Sequence, residues 1–273
     1  MTDITPLILT YNEAPNIGRV LDRLTWADRV VVVDSGSTDG TLGVAARYPQ
    51  AEVFHRPFDD HTAQWNFGLD HIRTEWALTL DADYVLSEAL VEELTSLDPA
   101  APYDGYEARF TYCIGGKPLR GTLYPPRIVL FRARRGRYEQ DGHTQRLLLG
   151  GPVGALRSPI YHDDRKPLRR WLDNQRAYAA LEADKLLSTL PDRLGRVDRL
   201  RRRGWVVPLL TPLYCLLGKR LLLDGRPGLT YTLQRTYAEV LLALELASRA
   251  HPQASEGSPV EATAPLEEAR YPA

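Results

Sequence analysis

The sequence is poor in cysteine and has no long apolar segment. Its 273 residues include only two cysteines, Cys113 and Cys215, which are far apart and share no metal-ligand spacing. This argues against a disulfide-stapled fold and a zinc–cysteine site, so we expect a reducing, cytoplasmic setting. The start of the chain lacks the basic and apolar regions of a secretory signal. No apolar run reaches the ~18 residues of a membrane-spanning helix.

An excess of one charge is also missing. The 34 Lys and Arg residues balance 35 Asp and Glu residues, which argues against broad nucleic-acid binding. A local basic cluster nevertheless precedes the apolar stretch 205–217, which is short and contains Pro208 and Pro212. We expect residues 193–223 to lie on an anionic membrane surface, at the inner face of the cell membrane. The alternative is a solvated basic face beside a buried helix. The cluster consists of Arg193, Arg196, Arg199, Arg201, Arg202 and Arg203.

The first hundred residues alternate between strand and helix patterns. Apolar runs at 4–10, 30–33, 52–54 and 76–80 predict strands, and apolar residues at helical spacing predict helices between them. This alternation predicts an α/β fold, with a mostly parallel sheet covered by helices on both faces. No Gly-x-Gly-x-x-Gly follows the first strand, which argues against a Rossmann dehydrogenase.

The pattern changes after residue 97. Residues 106–112, 127–131 and 145–149 are strand-like, and Gly115-Gly116 predicts a hairpin turn. Residues 167–187 and 228–249 are helical in pattern. We therefore expect a catalytic domain over 1–165, a helical extension over 166–250 that associates with membranes, and a disordered tail over 251–273, where Pro, Ala, Ser and Glu dominate.

Two carboxylates, Asp81 and Asp83, directly follow the fourth predicted strand. In extended geometry side chains at i and i+2 project to the same side, so this pair could hold a divalent cation that also contacts a diphosphate. The alternative for Asp-x-Asp alone is a solvated turn. Ligands on parallel sheets bind beyond the carboxyl ends of the strands, which supports the cation site.

Three other loops on the same predicted edge carry polar groups. Glu13 follows the first strand, where the alternative role is an acidic residue favouring a helix dipole. Asp34 ends the second strand and suits hydrogen bonds to a base or ribose; the alternative is a turn in which Thr38 or Asp39 caps the next helix. The segment Gln64-Trp65-Asn66 lies on or near a helix, and Trp65 fits the core equally well.

Together these motifs resemble the family 2 glycosyltransferases of the GT-A fold. The matching segments are TYNE at 10–13, VVVDSGSTDGT at 31–41 and LDAD at 80–83. WADRVVVVD at 26–34 and DGRPG at 224–228 are similar to the branch that contains the lipopolysaccharide-core β-glucosyltransferases. The resemblance covers roughly 4–250 and is most specific over 8–83.

The resemblance implies an inverting, metal-dependent transfer of a sugar from a nucleotide diphosphate to a saccharide or lipid-linked acceptor of the cell envelope. It favours a UDP-sugar donor and Mg²⁺ or Mn²⁺, with Asp81, Asp83 and His162 near the metal. The donor residues that it implies are Thr10, Tyr11, Glu13, Asp34, Asp39, Gln64, Asn66 and Asp81.

The sequence departs from this branch at the general base. The branch has Val-His-Glu where this chain has Gly142-His143-Thr144, so Asp141 and His143 are the substitutes that we expect. Trp65 replaces an expected Arg, and Tyr84 replaces an acid. Two alternatives stay open: a polyprenyl-phosphate glycosyltransferase, and a nucleotide-sugar-binding protein that has lost catalysis.

Overall fold

A computed structural model describes residues 3–98, 100–141 and 144–250; the side chains of Asp141 and Thr144 and the predicted disordered tail lie outside this description. The strands are β1 (Ile4–Thr10), β2 (Val30–Asp34), β3 (Ala51–His55), β4 (Trp76–Asp81), β5 (Tyr84–Leu86), β6 (Gly105–Ala108), β7 (Phe110–Ile114), β8 (Lys117–Pro118), β9 (Arg127–Arg132), β10 (Gly136–Asp141), β11 (Thr144–Leu149), β12 (Val153–Ala155) and β13 (Ile160–His162). The α-helices are α1 (Ile17–Leu21), α2 (Thr41–Ala45), α3 (His61–Asp70), α4 (Glu88–Thr95), α5 (Leu168–Ser188), α6 (Arg196–Arg201), α7 (Val206–Leu213) and α8 (Arg226–Ala250).

The central sheet has seven strands in the order β12-β6-β9-β4-β1-β2-β3. β4, β1, β2 and β3 run parallel, and β9 is antiparallel to both of its neighbours. The sheet is therefore mostly parallel, as predicted.

Helices cover both faces of this sheet, which also confirms the prediction. β1 and β2 are buried at every position and alternate between the two faces. Ile8 and Val32 pack with α1 and α4 on one side. Leu7 and Val31 pack with α3 on the other.

A smaller sheet, β5-β13-β7-β8, lies beside the end of β4. β7 and β8 form a hairpin whose turn residues, Gly115 and Gly116, have φ angles of 58° and 81°. Two successive positive φ angles are easily adopted by glycine, and the predicted turn is confirmed. This sheet places His162 of β13 opposite Tyr84 of β5 and Tyr112 of β7.

The C-terminal helices form the predicted extension. α5 and α8 pack through a small apolar cluster that includes Leu186 and Leu242. α8 also contacts the smaller sheet, where Tyr231 packs against Tyr112 at 4.8 Å between ring centroids. Among the described residues, no helix is both long and apolar enough to cross a membrane.

Several local predictions were wrong. The predicted strand 106–112 is two strands, β6 and β7, which belong to different sheets. The strand before Asp83 ends at Asp81, so Asp83 lies in the turn to β5 and not in extended geometry. Gly40, not Thr38 or Asp39, is the N-cap residue of α2.

Candidate functional site

Three strands end side by side at one edge of the central sheet. Thr10 of β1 pairs with Asp34 of β2, and Leu9 of β1 pairs with Asp81 of β4. The expected donor residues on these strands are therefore neighbours. Thr10 is buried and its hydroxyl oxygen has no hydrogen-bond partner within the described part of the chain.

Asn12 locks the loop after β1 to the loop after β2. Its φ of 55° lies in the left-handed region that Asn tolerates better than most residues. Its side-chain oxygen accepts hydrogen bonds from the backbone N–H groups of Thr38 (2.7 Å) and Asp39 (3.2 Å). Its own N–H donates to Ser37 Oγ at 2.8 Å. The two loops therefore behave as one unit.

Asp34 is completely buried and is held by its own loop. Asp34 Oδ2 accepts from the backbone N–H groups of Gly36 (2.9 Å) and Ser37 (3.0 Å), and Oδ1 accepts from Ser37 Oγ at 2.5 Å. His55 Nδ1 lies 3.4 Å from Oδ2. The turn interpretation is thus correct for Asp34, and a base or ribose would have to share these oxygens.

Asp39 joins the same loop network. Its carboxylate accepts from the N–H groups of Thr41 (2.9 Å) and Ala14 (3.2 Å), and from the Thr41 hydroxyl. Burial opposes ionisation, but these hydrogen bonds lower the pKa of Asp39. Thr41 Oγ1 in turn accepts from the N–H of Glu13 at 2.7 Å, so Asp39 supports the position of Glu13.

Tyr11 is fixed from the helical extension. Arg170 of α5 donates to the backbone oxygens of Tyr11 and Asn12, both at 2.5 Å. Its guanidinium carbon also lies 5.5 Å from the centroid of the Tyr11 ring. The expected nucleoside-binding loop is therefore attached to a helix outside the first 165 residues.

A buried lysine that the sequence analysis missed occupies the centre of the site. The Lys166 side chain is only 3% exposed, and its Nζ donates to Glu13 Oε1 at 2.6 Å. Nζ also lies 3.6 Å from Asp164 Oδ1 and 3.9 Å from Asp83 Oδ2. Burial disfavours the cation, but Asp83, Glu13 and Asp164 together raise the pKa of Lys166. It is therefore a permanent internal cation at neutral pH.

Glu13 is the buried partner of this lysine. It is 1% exposed and also accepts from Asn16 Nδ2 at 2.7 Å. Burial raises the pKa of Glu13 to about 7 against the opposing effect of Lys166. Both carboxylate oxygens are already engaged, so Glu13 holds the Lys166 position from the β1 side.

Asp83 and His162 form the second half of the centre. His162 Nε2 lies 3.4 Å from Asp83 Oδ2. Burial works against the charge on Asp83, but His162 and Lys166 lower the pKa of its carboxyl to about 2. Within the described part of the chain, Asp83 Oδ1 and His162 Nδ1 are buried and have no hydrogen-bond partner. Asp83 thus keeps one carboxylate oxygen for a cation, whereas the free nitrogen of His162 is not the one that faces Asp83.

An aromatic box surrounds His162. The rings of Tyr84, Tyr112 and Tyr124 have centroids 5.2, 4.6 and 4.9 Å from that of the imidazole. Tyr84 stands at the position where an acidic residue was expected, and its ring packs on His162. The box fixes the orientation of the imidazole toward Asp83.

Gln64 and Asn66 on α3 both contact neighbouring backbone. Gln64 Nε2 donates to Ser35 Oγ and to the Arg56 oxygen, both at 2.9 Å. Asn66 exchanges two hydrogen bonds of 3.0 Å with the backbone of Tyr138 on β10. Trp65 between them is 3% exposed and stacks on the Tyr138 ring, so Trp65 belongs to the core.

A cavity of about 350 Å³ runs from the carboxylates to the helical extension. Asp81, Asp83 and His162 line one end, and helices α5, α6 and α8 line the other, with side chains that include Trp171, Asn174, Gln175, Tyr178, Arg201, Arg235 and Glu239. A second cavity of about 320 Å³ shares Asp81, Arg127 and Gln145 with the first. Asp81 therefore faces both spaces.

The expected substitutes for the general base cannot be positioned. The Asp141 side chain and His143 lie outside the described residues. Gln145, just beyond them on β11, lines both cavities, so this hairpin approaches the same space.

Lys166, Arg170 and Arg127 are the site residues that the sequence analysis missed. Lys166 lies in the run HDDRK at 162–166, where two adjacent carboxylates lie between a histidine and two basic residues. Opposite charges so close together on a short loop are a signal for a buried ion-pair centre. Arg170 and Arg127 give no comparable signal because their partners are backbone oxygens and tyrosine rings.

Known proteins match the chain over this same region. The model of the family described as glycosyl transferase family 2 matches residues 7–156. The chain is 29% identical over 191 residues to the lipopolysaccharide core biosynthesis glycosyltransferase LpsC of Rhizobium meliloti (strain 1021), covering 67% of this chain and 71% of LpsC.

Two solved structures share the fold at low identity. The mannosyltransferase PcManGT from Pyrobaculum calidifontis, in complex with GDP-Man and Mn²⁺, superimposes with a TM-score of 0.51 at 17% identity, over 90% of this chain and 86% of that one. S. aureus TarS 1–349 in complex with UDP-GlcNAc gives 0.50 at 14% identity, over 93% of each chain. The family model spans more than half of this chain and includes the strand ends that form the site. The chain is therefore a glycosyltransferase that belongs to glycosyl transferase family 2 and has the GT-A fold.

Proposed function

We propose that the chain transfers a sugar, with inversion, from a nucleotide-diphosphate donor to a saccharide or lipid-linked acceptor of the cell envelope. The observation that carries this proposal is that Asp81, Asp83 and His162 line a cavity large enough for a sugar, at the sheet edge where β1, β2 and β4 end. The similarity to LpsC supports a lipopolysaccharide-core acceptor. A UDP-sugar is the favoured donor.

On the donor side, we assign nucleoside contacts to the unit formed by the β1 and β2 loops. Tyr11, Glu13 and Asp34 would meet the base and ribose, with Thr10, Asp39, Gln64 and Asn66 around them. Asp81 faces both cavities and would contact the ribose and diphosphate. Because most of these side chains are already hydrogen-bonded, the pocket is pre-organised, which reduces the ordering cost of donor binding.

A divalent cation fits the residues at the centre. Mg²⁺ is usually held by one or two carboxylates together with substrate phosphates, so a cluster of three protein ligands is not required. Asp83, through its unpartnered Oδ1, would hold Mg²⁺ or Mn²⁺ together with Asp81, and His162 would join them through Nε2, the nitrogen that faces Asp83. When bound, the ion would supply Lewis-acid neutralisation of the leaving diphosphate. Lys166 adds a permanent positive charge next to Asp83.

On the acceptor side, we assign the end of the 350 Å³ cavity that the helical extension lines. Trp171 and Tyr178 offer aromatic faces, and Asn174 and Gln175 offer donors and acceptors suited to sugar hydroxyls. A carboxylate or imidazole in the 141–145 segment, Asp141 or His143, would accept the hydroxyl proton as the acceptor oxygen attacks the anomeric carbon. The nucleotide diphosphate leaves from the opposite face.

We further propose that the enzyme works in the cytoplasm, at the inner face of the cell membrane. A lipid-linked acceptor is confined to a bilayer, so an enzyme that acts on it gains from surface binding.

The experiment is nucleotide release from a panel of UDP-, GDP- and other nucleotide sugars, with Mn²⁺, Mg²⁺ or EDTA. We expect slow hydrolysis of one donor that EDTA abolishes. Asp83→Asn should lower this rate by about 10²-fold or more, because the charge that faces the metal is lost. Asp70→Asn is the matched control, since Asp70 forms an exposed pair with Arg137 at the surface. An unchanged rate in Asp83→Asn would remove the metal assignment.

Product analysis and a binding measurement distinguish the two alternatives from this proposal. A polyprenyl-phosphate glycosyltransferase forms a glycosyl phospholipid instead of a glycosylated core saccharide. A binding protein without catalysis binds UDP in a calorimetric titration but releases nothing from any donor, with or without acceptor.

A further inference from the structure

Helix α7 and the turn that follows it are apolar on the outside. Leu209, Leu213 and Leu217 recur every four residues and are 58–65% exposed, whereas Thr211 and Cys215 on the opposite side are buried. A surface helix of a globular protein normally has its apolar residues toward the core and its polar residues toward the solvent. Leu210, Tyr214 and Trp205 extend the exposed side, and Leu222 and Leu223 continue it in the next turn. We call this set of eight residues the docking face.

Exposed basic side chains flank the docking face along the chain. Of the six arginines predicted to form one basic surface, Arg201 is the exception, because it points inward to Glu239. The acidic residues in the same stretch, Asp198 and Asp224, are half-buried and paired with Arg201 and Arg120. The exposed basic residues that flank the face in the sequence are Arg193, Arg196, Arg199, Arg202, Arg203, Arg220 and Arg226.

We infer that the docking face inserts into the headgroup region of a bilayer rich in anionic phospholipid. Exposed leucines flanked by arginines, with one tryptophan at the edge, match the chemistry of that region. A second copy of the chain is a poorer occupant, because a symmetric contact would bring the arginines of both copies together. An anionic lipid surface satisfies the apolar and the basic groups at once.

The docking face is also connected to the cavity. Arg201 belongs to α6, whose other arginines are exposed, and it lines the cavity together with Glu239 and Leu242. One short helix therefore has its outer side toward the bilayer and its inner side toward the acceptor end of the cavity. An acceptor with a lipid anchor would reach the cavity from this side. This last step rests on the proposed function, whereas membrane binding itself does not.

The test is flotation of the full chain with vesicles of phosphatidylglycerol and phosphatidylcholine, and with pure phosphatidylcholine as the comparison. We expect binding to the anionic vesicles that weakens as salt is added. Leu209→Ser/Leu213→Ser/Leu217→Ser should reduce partitioning by roughly tenfold or more. Arg199→Gln/Arg202→Gln/Arg203→Gln should reduce it by roughly 100-fold at low salt, because each arginine contributes about fivefold.

The matched control is Leu168→Ser/Leu181→Ser/Leu244→Ser, which changes three leucines of 44–62% exposure outside the docking face. This variant should float like the wild type. The inference is overturned if the wild type ignores anionic vesicles, or if the docking-face variant floats as well as the control. It is also overturned if the wild type forms a dimer in light scattering and does not bind vesicles, and the docking-face variant is a monomer.

Donor hydrolysis in solution separates this inference from the proposed function. Both leucine variants should retain the wild-type rate with soluble donor, which also demonstrates that they are folded. Vesicle binding without hydrolysis of any donor would contradict the proposed function and would still support the docking face.

Discussion

At the scale of single residues, the site is organised around a buried cation. Lys166 contacts Glu13 and lies near Asp83 and Asp164, so one ammonium serves three carboxylates from three segments of the chain. Buried charges are costly unless they are paired, and the pairing here ties the β1 loop to the segment after β13. The charges that a donor diphosphate would meet are thus set before it binds.

Glu13 gives this arrangement a pH dependence. Burial raises its pKa from 4.5 to about 7, so the folded chain binds a proton more tightly than the unfolded chain does. The resulting stabilisation is present below pH 4.5 and is lost as the pH rises through about 7. We expect stability to fall by up to about 3 kcal/mol across this window in the wild type, and Glu13→Gln to flatten the profile.

Urea denaturation at several pH values measures this effect. Glu88→Gln is the control, because Glu88 is 80% exposed and pairs only with Arg23 at the surface. Its profile should follow that of the wild type. If Glu13→Gln also follows the wild type, the pKa of Glu13 is not raised and Lys166 governs its ionisation.

At the scale of elements, α3 fixes the hairpin of β10 and β11 beside the cavity. The Asn66 amide makes two hydrogen bonds to Tyr138 of β10, and Trp65 stacks on the Tyr138 ring. Because β10 leads to Asp141 and His143, α3 positions the strand that precedes the expected general base. Asn66, which the resemblance assigns to the donor site, therefore also has a structural role.

We expect Asn66→Ala to destabilise the fold by about 1–3 kcal/mol, because two backbone groups of Tyr138 lose their partner. Hydrogen exchange at the Tyr138 amide should quicken at the same time. Thr62→Ala is the control: Thr62 joins the same helix to the same strand through an exposed bond to Gln140. If the two substitutions lower the free energy of unfolding equally, the hydrogen bonds of Asn66 contribute no more to stability than the exposed bond of Thr62.

The sequence predicted elements well where periodicity is strong. β1, β2 and β4 are apolar runs, and α5 and α8 are long, so their positions matched within a few residues. The edge that gathers Thr10, Asp34 and Asp81 follows from parallel strands alone. β5, β12 and β13 are only three residues long, which is too short for an alternating pattern to be visible.

The rest of the site depends on contacts distant in sequence. Lys166 meets Glu13 across 153 positions, and Arg170 meets Tyr11 across 159. Periodicity reports which face of an element is apolar and says nothing about such pairs. The same limit applies to Arg201, whose sequence neighbours are exposed while its own partner, Glu239, lies on another helix.

At the scale of the whole molecule, residues 1–165 and the helical extension are joined by direct contacts. Arg170 of α5 holds the backbone of the β1 loop, and Tyr231 of α8 accepts a hydrogen bond from the Leu123 N–H at 2.8 Å. The predicted boundary at residue 165 falls between Asp164 and Lys166, within the ion-pair centre. We therefore expect the chain to unfold in a single transition, with circular dichroism and loss of UDP binding coinciding in urea.

Arg170→Ala tests this dependence directly. It removes both hydrogen bonds to the carbonyls of Tyr11 and Asn12, so UDP affinity should fall by about tenfold and stability by about 1–3 kcal/mol. Arg169→Ala is the matched control, since Arg169 is the exposed neighbour on the same helix and should change neither quantity. If Arg170→Ala lowers stability but leaves UDP affinity unchanged, the β1 loop holds its shape without the extension. In that case the bond between Lys166 and Glu13 is the contact through which the segment after residue 165 supports the β1 loop.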